Sequence, residues 1–582
     1  MGSNRTQAAA IYPRALCKAI LLGLKEQMAE DGIIGQLSDG PVCEELVPMR
    51  DAEDMAWDDV TNEELDPVKV RAARKEELAY CESKDLADIV PVTEAWTETG
   101  RAPITTRWID HHKGHGVYRS RVVAREFRGA EEAIFSATPP LELMKLALAL
   151  AVSTKGRRGP PLKVGILDVS RAYFNAAVTQ PTYVEMPEGL RETHPGACWR
   201  LKRALYGTRA AAQAWAQEYS EKLRGWGFVQ ARSSTCIFYH PTKRVRIFVH
   251  GDDFLTVGEG EQVEWVHAKM GGVYEVKVQG VLGPEDKDDK EVRLLNRIIS
   301  WKGWGVQYEA DQRHAEKIIE KLGLKTASSV STPSVKDKNE EPDDEDPLED
   351  WEAKEFREIA PRANYLAVDR PDIQYSVKEI CRHMSCPCRG DVRKLKRLGR
   401  YLVGHSRVVV RFPFQREPEH LTILADANHA GCLRTRRSTS GGAVMYGQCL
   451  LKSWSSTQAV VALSSGESEY YALVKAASEG LGIRSALGEW GEDKAVHVYT
   501  DSTAAKGIAS RQGLNKRTRH VAVHLLWVQE KVANKELHLW KIDGKANAAD
   551  LGTKELDQQG IMKCMTRLGA VVMSGRHKLA PV

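Results

Sequence analysis

Residues 248–257 read FVHGDDFLTV, two apolar runs that meet at a glycine and two adjacent acids. The first central residue of a type II′ hairpin turn needs a positive φ, which glycine supplies cheaply. Gly251 fits that position in His250-Gly251-Asp252-Asp253, between the strand-like runs VRIFV and FLTV. Such a turn thrusts carboxylates out of the end of two paired strands. Taken alone, the stretch also reads as an ordinary solvated hairpin tip, because Gly-Asp turns are common. A distant acid changes the balance. Asp168 closes the apolar run KVGILDV (163–169), and a charge ending a buried strand is costly unless it is paired or metal-bound. If these strands are neighbours, Asp168 and Asp252 share one end of a sheet and can hold Mg2+, which prefers oxygen ligands.

At 582 residues the chain is long enough for several domains with sizeable cores. Its net charge is only +4, so charge alone does not announce a nucleic-acid binder. The charge is uneven, however. Acids crowd 44–65 and 340–355, and bases crowd 101–128, 389–400 and 510–520, which favours a polyanionic partner for the basic remainder. The 11 cysteines are scattered singly apart from Cys386 and Cys388. No Cys-x-x-Cys pairs and no Cys/His zinc spacing are visible, a pattern of reduced thiols in an intracellular protein. No apolar run is long enough to suggest a membrane span. AIYPRALCKAILLGL (10–24) is broken by Pro13, Arg14 and Lys18 and reads as a short amphipathic helix rather than a targeting segment.

Periodicity organises the rest. VYRSRVVAREF (117–127) alternates as a strand with arginines on one face, and LELMKLALALAVS (141–153) reads as a helix. Residues 203–227 read as a turn entering a long helix, and 305–324 as a strand followed by an amphipathic helix. The expected class is α+β multidomain: an unassigned segment 1–67, a first large domain 68–334, an acidic linker 335–355, a helical connection 356–415, a compact α/β domain 416–560 and a tail 561–582.

The α/β domain carries a second set of acids. Asp426 lies in LTILADANHAG, Glu469 on the helix SSGESEYYALVKAASEGL, Asp501 at the end of AVHVYTD, and Asp550 in ANAADLGTK. Each alone is more often a solvated residue. Converging, four carboxylates can hold two divalent ions that cut a phosphodiester with water. Glu467 rivals Glu469, and their i, i+2 spacing puts only one on the inward face.

Several motifs carry a resemblance. LDVSRAYFNA (167–176), YVEMPEGL (183–190), WRLKRALYGTRAAAQAW (199–215) and HGDD (250–253), preceded by RWIDHHKG and YRSRVVAREF, occur in sequence. Over 90–330 the chain resembles, in their order and spacing, the reverse transcriptase of copia-type LTR retrotransposons. RRSTSGGAVMYG (436–447), SWSSTQAVVALSSGESEYYAL (453–473), VYTDSTAAKGIA (498–509), RTRHVAVH (517–524) and ADLGTK (549–554) resemble the RNase H blocks of the same family. The resemblance implies a right-hand polymerase with palm, fingers and thumb, followed by an RNase H-like α/β domain.

It implies that Asp168, Asp252 and Asp253 are the catalytic, metal-holding acids of the palm, the first two being the better ligands. Tyr173 would lie under the incoming sugar, or simply pack in the core. Arg121 and Arg125 would contact triphosphate or template phosphate, which a guanidinium fork suits, or form a solvated strand face. Gly207 belongs to the same substrate-side blocks, and Lys145 is a weaker candidate, since a lone lysine on a helix is usually just solvated. Asp426, Glu469, Asp501 and Asp550 would be the catalytic, metal-holding acids of the nuclease, Glu469 being favoured over Glu467. His520 would contact substrate or be a hydrogen-bonded structural histidine. The implied cofactor is Mg2+, two per active site, with Mn2+ as a substitute. The implied partners are an RNA template, a DNA primer, dNTPs and an RNA–DNA hybrid, with no membrane and no implied oligomeric state, in a cytoplasmic particle or the nucleus.

The chain also departs from the family pattern. Ala210 and Ala212 stand where Gln and Pro are usual, His250 replaces the turn tyrosine, and Asn428 and His429 replace an Asp-Trp pair. None of these removes a metal ligand. The family's protease, zinc knuckle and integrase are not visible, as expected for the C-terminal part of a polyprotein or a degenerate copy. The alternative reading is a catalytically inactive relic that keeps the fold and binds nucleic acid. The substitutions favour it, and the retention of all seven acids opposes it.

Overall fold

A computed structural model describes residues 56–59, 61–114, 116–127, 138–154, 156, 159–336, 345–432, 434–513 and 519–581. The helix expected over 10–24 lies outside the described residues. The chain divides into two units, one of residues up to 134 with 173–215, the other of 135–172 with 216–582.

In the first unit, Thr106–His112 and Tyr118–Ala124 pair antiparallel with Asp110 opposite Ser120. The expected alternation is present: Ser120, Val122 and Ala124 are buried, while Arg119 and Arg121 take the other face. Asp110 is buried with partners, accepting from Ser120 Oγ at 2.6 Å and from Arg74 at 2.7 Å. Arg74 lies on the helix Pro67–Ser83, started by Asp66 accepting from the Val68 and Lys69 N–H groups and by proline in the first turn. Ala197–Leu201 runs between Ala87–Pro91 and Tyr183–Glu185 in a three-stranded sheet. Trp108, Val122, Phe174, Trp199 and Leu205 close the core.

The second unit is built on a six-stranded sheet in the order Val276–Leu282, Leu162–Val169, Asp253–Glu259, Val245–His250, Ile237–His240, Val229–Gln230. The helix Leu141–Val152 is buried at every position from Leu143 onward, as its all-round apolar sequence requires. It packs on this sheet and also on the strand Cys449–Thr457 of a second sheet. That sheet runs Cys449–Thr457, Thr439–Tyr446, His420–Asn428, Ala495–Thr500, His538–Lys541. Its first three strands are antiparallel and the last two join in parallel. The long helix Ser465–Glu489 covers it, with Ser464 as N-cap. This is the α+β multidomain architecture expected, with a separate α/β sheet built from 420–541.

The two sheets share one apolar core that includes Leu150, Ile166, Leu255, Ile423, Tyr446 and Val498. Polar bonds reinforce the junction. Gln415 donates to Ser153 Oγ and to Tyr446 O, both at 3.0 Å. Arg246 Nε donates to Trp490 O at 3.0 Å, and Trp490 Nε1 donates to Phe238 O at 3.2 Å.

Three features differ from the sequence-based expectation. The acidic stretch 335–355 is already helical from Asp350, because Glu349 and Glu352 form a capping box that starts the helix Asp350–Ala367. Within the stretch read as a tail, 561–573 are regular structure. They finish the helix Gln558–Arg567, and Ala570–Met573 is the edge strand beside Arg407–Pro413 in a five-stranded sheet. The run AVVM is too short for its periodicity to announce a strand.

Lys145 is not solvated either. It is 5% exposed and sits 2.8 Å from Asp369, which also accepts from Arg297 Nε at 2.9 Å and Tyr308 OH at 2.8 Å. Burial alone would raise the Asp369 carboxyl, but Lys145 and Arg297 outweigh it and hold it well below the usual carboxylate range. Asp369→Ala would leave two cations buried without their carboxylate. We expect it to cost about 3–5 kcal/mol, read as a lowered thermal midpoint. An unchanged midpoint would contradict the network's structural role.

Candidate active sites: two clusters of carboxylates

The first cluster follows from strand register. Val245–His250 and Asp253–Glu259 pair with His250 opposite Asp253, leaving Gly251-Asp252 as a two-residue turn. Gly251 has φ 67 while Asp252 is not in the positive region, which meets the type II′ requirement. On its other side Asp253 stands directly opposite Asp168. The turn is tied across as well, with Val169 N donating to Asp252 O at 2.9 Å. Asp168, Asp252 and Asp253 are thus brought to one end of the sheet. Asp252 is exposed, and the other two are half-buried. Burial first, then Asp252 and Asp168, push the Asp253 carboxyl up to about 7, against a hydrogen bond from Gln279 Nε2 at 3.0 Å. Three carboxylates gathered at one sheet end offer the oxygen ligands that a hard divalent cation takes.

The remaining candidates of the first half lie in the other unit. Tyr173 packs on Tyr206 with ring centroids 5.0 Å apart, and the Arg121 guanidinium lies 4.8 Å over the Tyr206 ring. Arg121 Nε is buried with no hydrogen-bond partner. Gly207 has φ +85, and a Cβ there would stand 2.0 Å from the Ala124 carbonyl oxygen. It therefore lets the Tyr206 backbone reach the hairpin, where Ala124 N donates to Tyr206 O at 2.7 Å. Arg121, Tyr173 and Gly207 form one neighbourhood. Arg125 does not join it: it follows the last strand residue and is exposed beside Phe127.

The second cluster is tighter. Parallel pairing of Ala425 with Thr500 sets Asp426 beside Asp501. Glu469 reaches them from the second turn of the long helix, and one oxygen from each of Asp426, Glu469 and Asp501 lies within 4.8 Å of the others. Asp550 comes from the short 3-10 helix Ala548–Gly552. Asn547 docks that turn by donating to Ala425 O at 2.9 Å. Thr553 donates to Asp426 Oδ2 from the same turn. Lys554 stands 2.8 Å from Asp550 and 4.0 Å from Asp426.

Burial raises Asp426, with neighbouring Asp550 adding to it. Burial, then Asp426, raises Asp501. Burial, then Asp426 and Asp501, push Glu469 up to about 8. Glu469 Oε2 is buried with no hydrogen-bond partner. Oxygen ligands, one lysine and an orphaned carboxylate oxygen fit a hard divalent ion. Asn547, Thr553 and Lys554 were not anticipated. The signal was present, since Thr553 and Lys554 follow Asp550 at i+3 and i+4.

Glu467 faces elsewhere. It accepts from Leu463 N at 2.9 Å, from Tyr471 OH and from His520 Nε2 at 2.9 Å. Burial would raise it, but the Tyr471 and His520 hydrogen bonds outweigh burial and hold it low. Glu467 braces the helix start, and His520 is brought to Glu467 with its ring part-exposed.

Residues 95–336 match the family model for reverse transcriptase (RNA-dependent DNA polymerase). The retrovirus-related Pol polyprotein from transposon TNT 1-94 of Nicotiana tabacum is 24% identical over 494 residues, covering 81% of this chain and 36% of that protein. The uncharacterized mitochondrial protein AtMg00810 of Arabidopsis thaliana is 34% identical over 176 residues, covering 29% of this chain and 68% of that protein. A solved structure of the foamy viral protease-reverse transcriptase in complex with double-stranded DNA matches with TM-score 0.47 and 12% identity, covering 82% of this chain and 70% of that one. The chain belongs to the copia-type reverse transcriptase family. It spans about a third of the length of the Pol polyproteins it matches, 36%, 30% and 31%.

The raised carboxyls have a consequence for stability. Without divalent ions the folded chain holds more protons than the unfolded chain, between the ordinary carboxylate range and the values near 7 and 8. Stability therefore falls as pH rises through that window. In chelator, we expect the thermal midpoint to drop between about pH 5 and about pH 8, Glu469→Gln to flatten part of the drop, and saturating Mg2+ to reverse it. A midpoint in chelator that ignores pH would contradict the assignment.

Proposed function

We propose that this chain is an RNA-directed DNA polymerase with a fused ribonuclease H, one activity in each carboxylate cluster. The observation that carries the proposal is the register that sets Asp253 opposite Asp168 with Asp252 in the adjoining turn, inside a segment that matches the reverse transcriptase family. Asp168 and Asp252 are the residues to hold two Mg2+ ions, with Mn2+ as substitute, while Asp253 supports them from a more buried position. Bound ions would activate the attacking hydroxyl and offset charge on the leaving group.

The chain's own residues supply the rest. The Gly251 turn fixes where the carboxylates point. The family motif assigns Tyr173 to the sugar of the incoming dNTP. Arg121, with its unpartnered Nε, and Arg125 are donors for dNTP or template phosphates. Gly207 acts through the backbone, by letting Tyr206 approach the hairpin.

In the second cluster, Asp426, Glu469, Asp501 and Asp550 are the residues to hold the ions that serve cleavage of the RNA strand of an RNA–DNA hybrid. Lys554 moderates their mutual repulsion. His520 positions Glu467 and has an exposed edge for the hybrid backbone. RNA template and DNA primer are gripped mainly through phosphates, so binding is salt-dependent and weakly sequence-specific.

The test is Mg2+-dependent extension of a labelled DNA primer on an RNA template, with cleavage of the template read on the same gel. Asp252→Asn should lower extension on the order of 100-fold or more and spare cleavage, and Asp501→Asn should do the reverse. A folded wild-type chain with neither activity would overturn the proposal in favour of a non-catalytic nucleic-acid binder.

A further inference from the structure

The reversal between the helices Gln374–Cys381 and Arg389–Gly404 gathers three side chains that neither carboxylate cluster uses. His383 Nδ1 lies 3.2 Å from both oxygens of Asp391, and Cys388 Sγ lies 3.1 Å from Asp391 Oδ2. One ligand atom from each of the three lies within 4.8 Å of the others. We propose that His383, Cys388 and Asp391 form a zinc site that clasps this turn, with water as the fourth ligand.

The geometry and the chemistry agree. Zinc takes sulfur at about 2.3 Å, imidazole nitrogen at about 2.0–2.1 Å and carboxylate oxygen at about 2.0–2.2 Å. Atoms bound tetrahedrally to one such ion stand about 3.3–3.8 Å apart. The contacts to Asp391 are already close to that spacing, so an ion would replace hydrogen bonds that now hold the three groups together. Asp391 is placed independently of any ion. It is fully buried and accepts from Cys388 N at 3.1 Å as part of the cap of the second helix. His383 and Cys388 are only half-buried, which leaves a route for the ion and for its water. Lys394, 3.9 Å from Asp391 Oδ1, is the cation that zinc would displace.

On binding, the Cys388 thiol proton leaves to solvent and the sulfur binds as thiolate. Thiolate and carboxylate then balance the charge of the ion, and the imidazole binds neutral. Sulfur and nitrogen ligands separate this site from the two all-carboxylate clusters, which favour hard ions. The spacing His-x4-Cys-x2-Asp crosses a helix boundary and matches no linear zinc signature, so only the fold brings it together.

The test uses the full chain, stripped with chelator and held in excess Mg2+ to fill the carboxylate clusters. Zn2+ is titrated against a chromophoric chelator, and Co2+ is added separately as a spectroscopic probe. We expect one tight Zn2+ per chain, and a cobalt spectrum with tetrahedral bands and a thiolate charge-transfer band. Cys388→Ser and His383→Ala should each weaken Zn2+ at least about tenfold, and Cys388→Ser should lose the charge-transfer band. Zn2+ should raise the thermal midpoint of the wild type but not of Cys388→Ser, with equal midpoints in chelator showing that the variant folds. Zn2+ bound equally well by Cys388→Ser would mean adventitious binding at another thiol, such as exposed Cys386, and would overturn the proposal. So would the absence of a thiolate band.

Discussion

Like charges set directly opposite on neighbouring strands destabilise a sheet, yet Asp168 and Asp253 are paired in that way. The rest of the second unit keeps that pairing in place. Strands buried above it leave no alternative register, because a one-residue slip would turn the whole apolar set outward. The Gly251 turn closes the hairpin in two residues, so Asp252 has nowhere to go but the same sheet end. Burial first, then Asp252 and Asp168, push the Asp253 carboxyl up to about 7. The C-terminal sheet uses the same device with parallel strands, and Glu469 arrives there from a helix instead of a turn.

The two devices rest on one core. The helix Leu141–Val152 is sequestered between the two sheets, and Gln415 and Trp490 hydrogen-bond across the junction. The spacing between the clusters is therefore set by packing, not by a tether. The five-stranded sheet strengthens this arrangement by pairing a strand near residue 410 with one near residue 572. The chain's last strand is thereby a structural part of the helical connection.

Much of this was legible in the sequence. The hairpin, Asp168 and the order of the C-terminal acids could be read because each sits where an apolar period ends, and such endings are local. Helix spacing shows that only one of Glu467 and Glu469 can face inward, and the family resemblance, not the spacing, favours Glu469. What escaped reading depends on partners distant in sequence. Lys145 reads as solvated until Asp369 is placed beside it. His520 reads equally as a substrate contact or a hydrogen-bonded structural histidine, and only the fold supplies Glu467 as its partner. Gly207 reads as part of a substrate block, but its positive φ and its contact with Ala124 are packing facts. His383, Cys388 and Asp391 carry no spacing signal at all.

The central claim is that two separate sets of carboxylates each hold divalent ions. Direct counting of bound Mn2+ by titration, with electron paramagnetic resonance reporting the free ion, tests this without requiring turnover. The full chain should show two classes of site. Asp168→Asn should remove one class and Asp426→Asn the other, each leaving its counterpart intact. Loss of both classes in either variant, or of neither in both, would contradict the account.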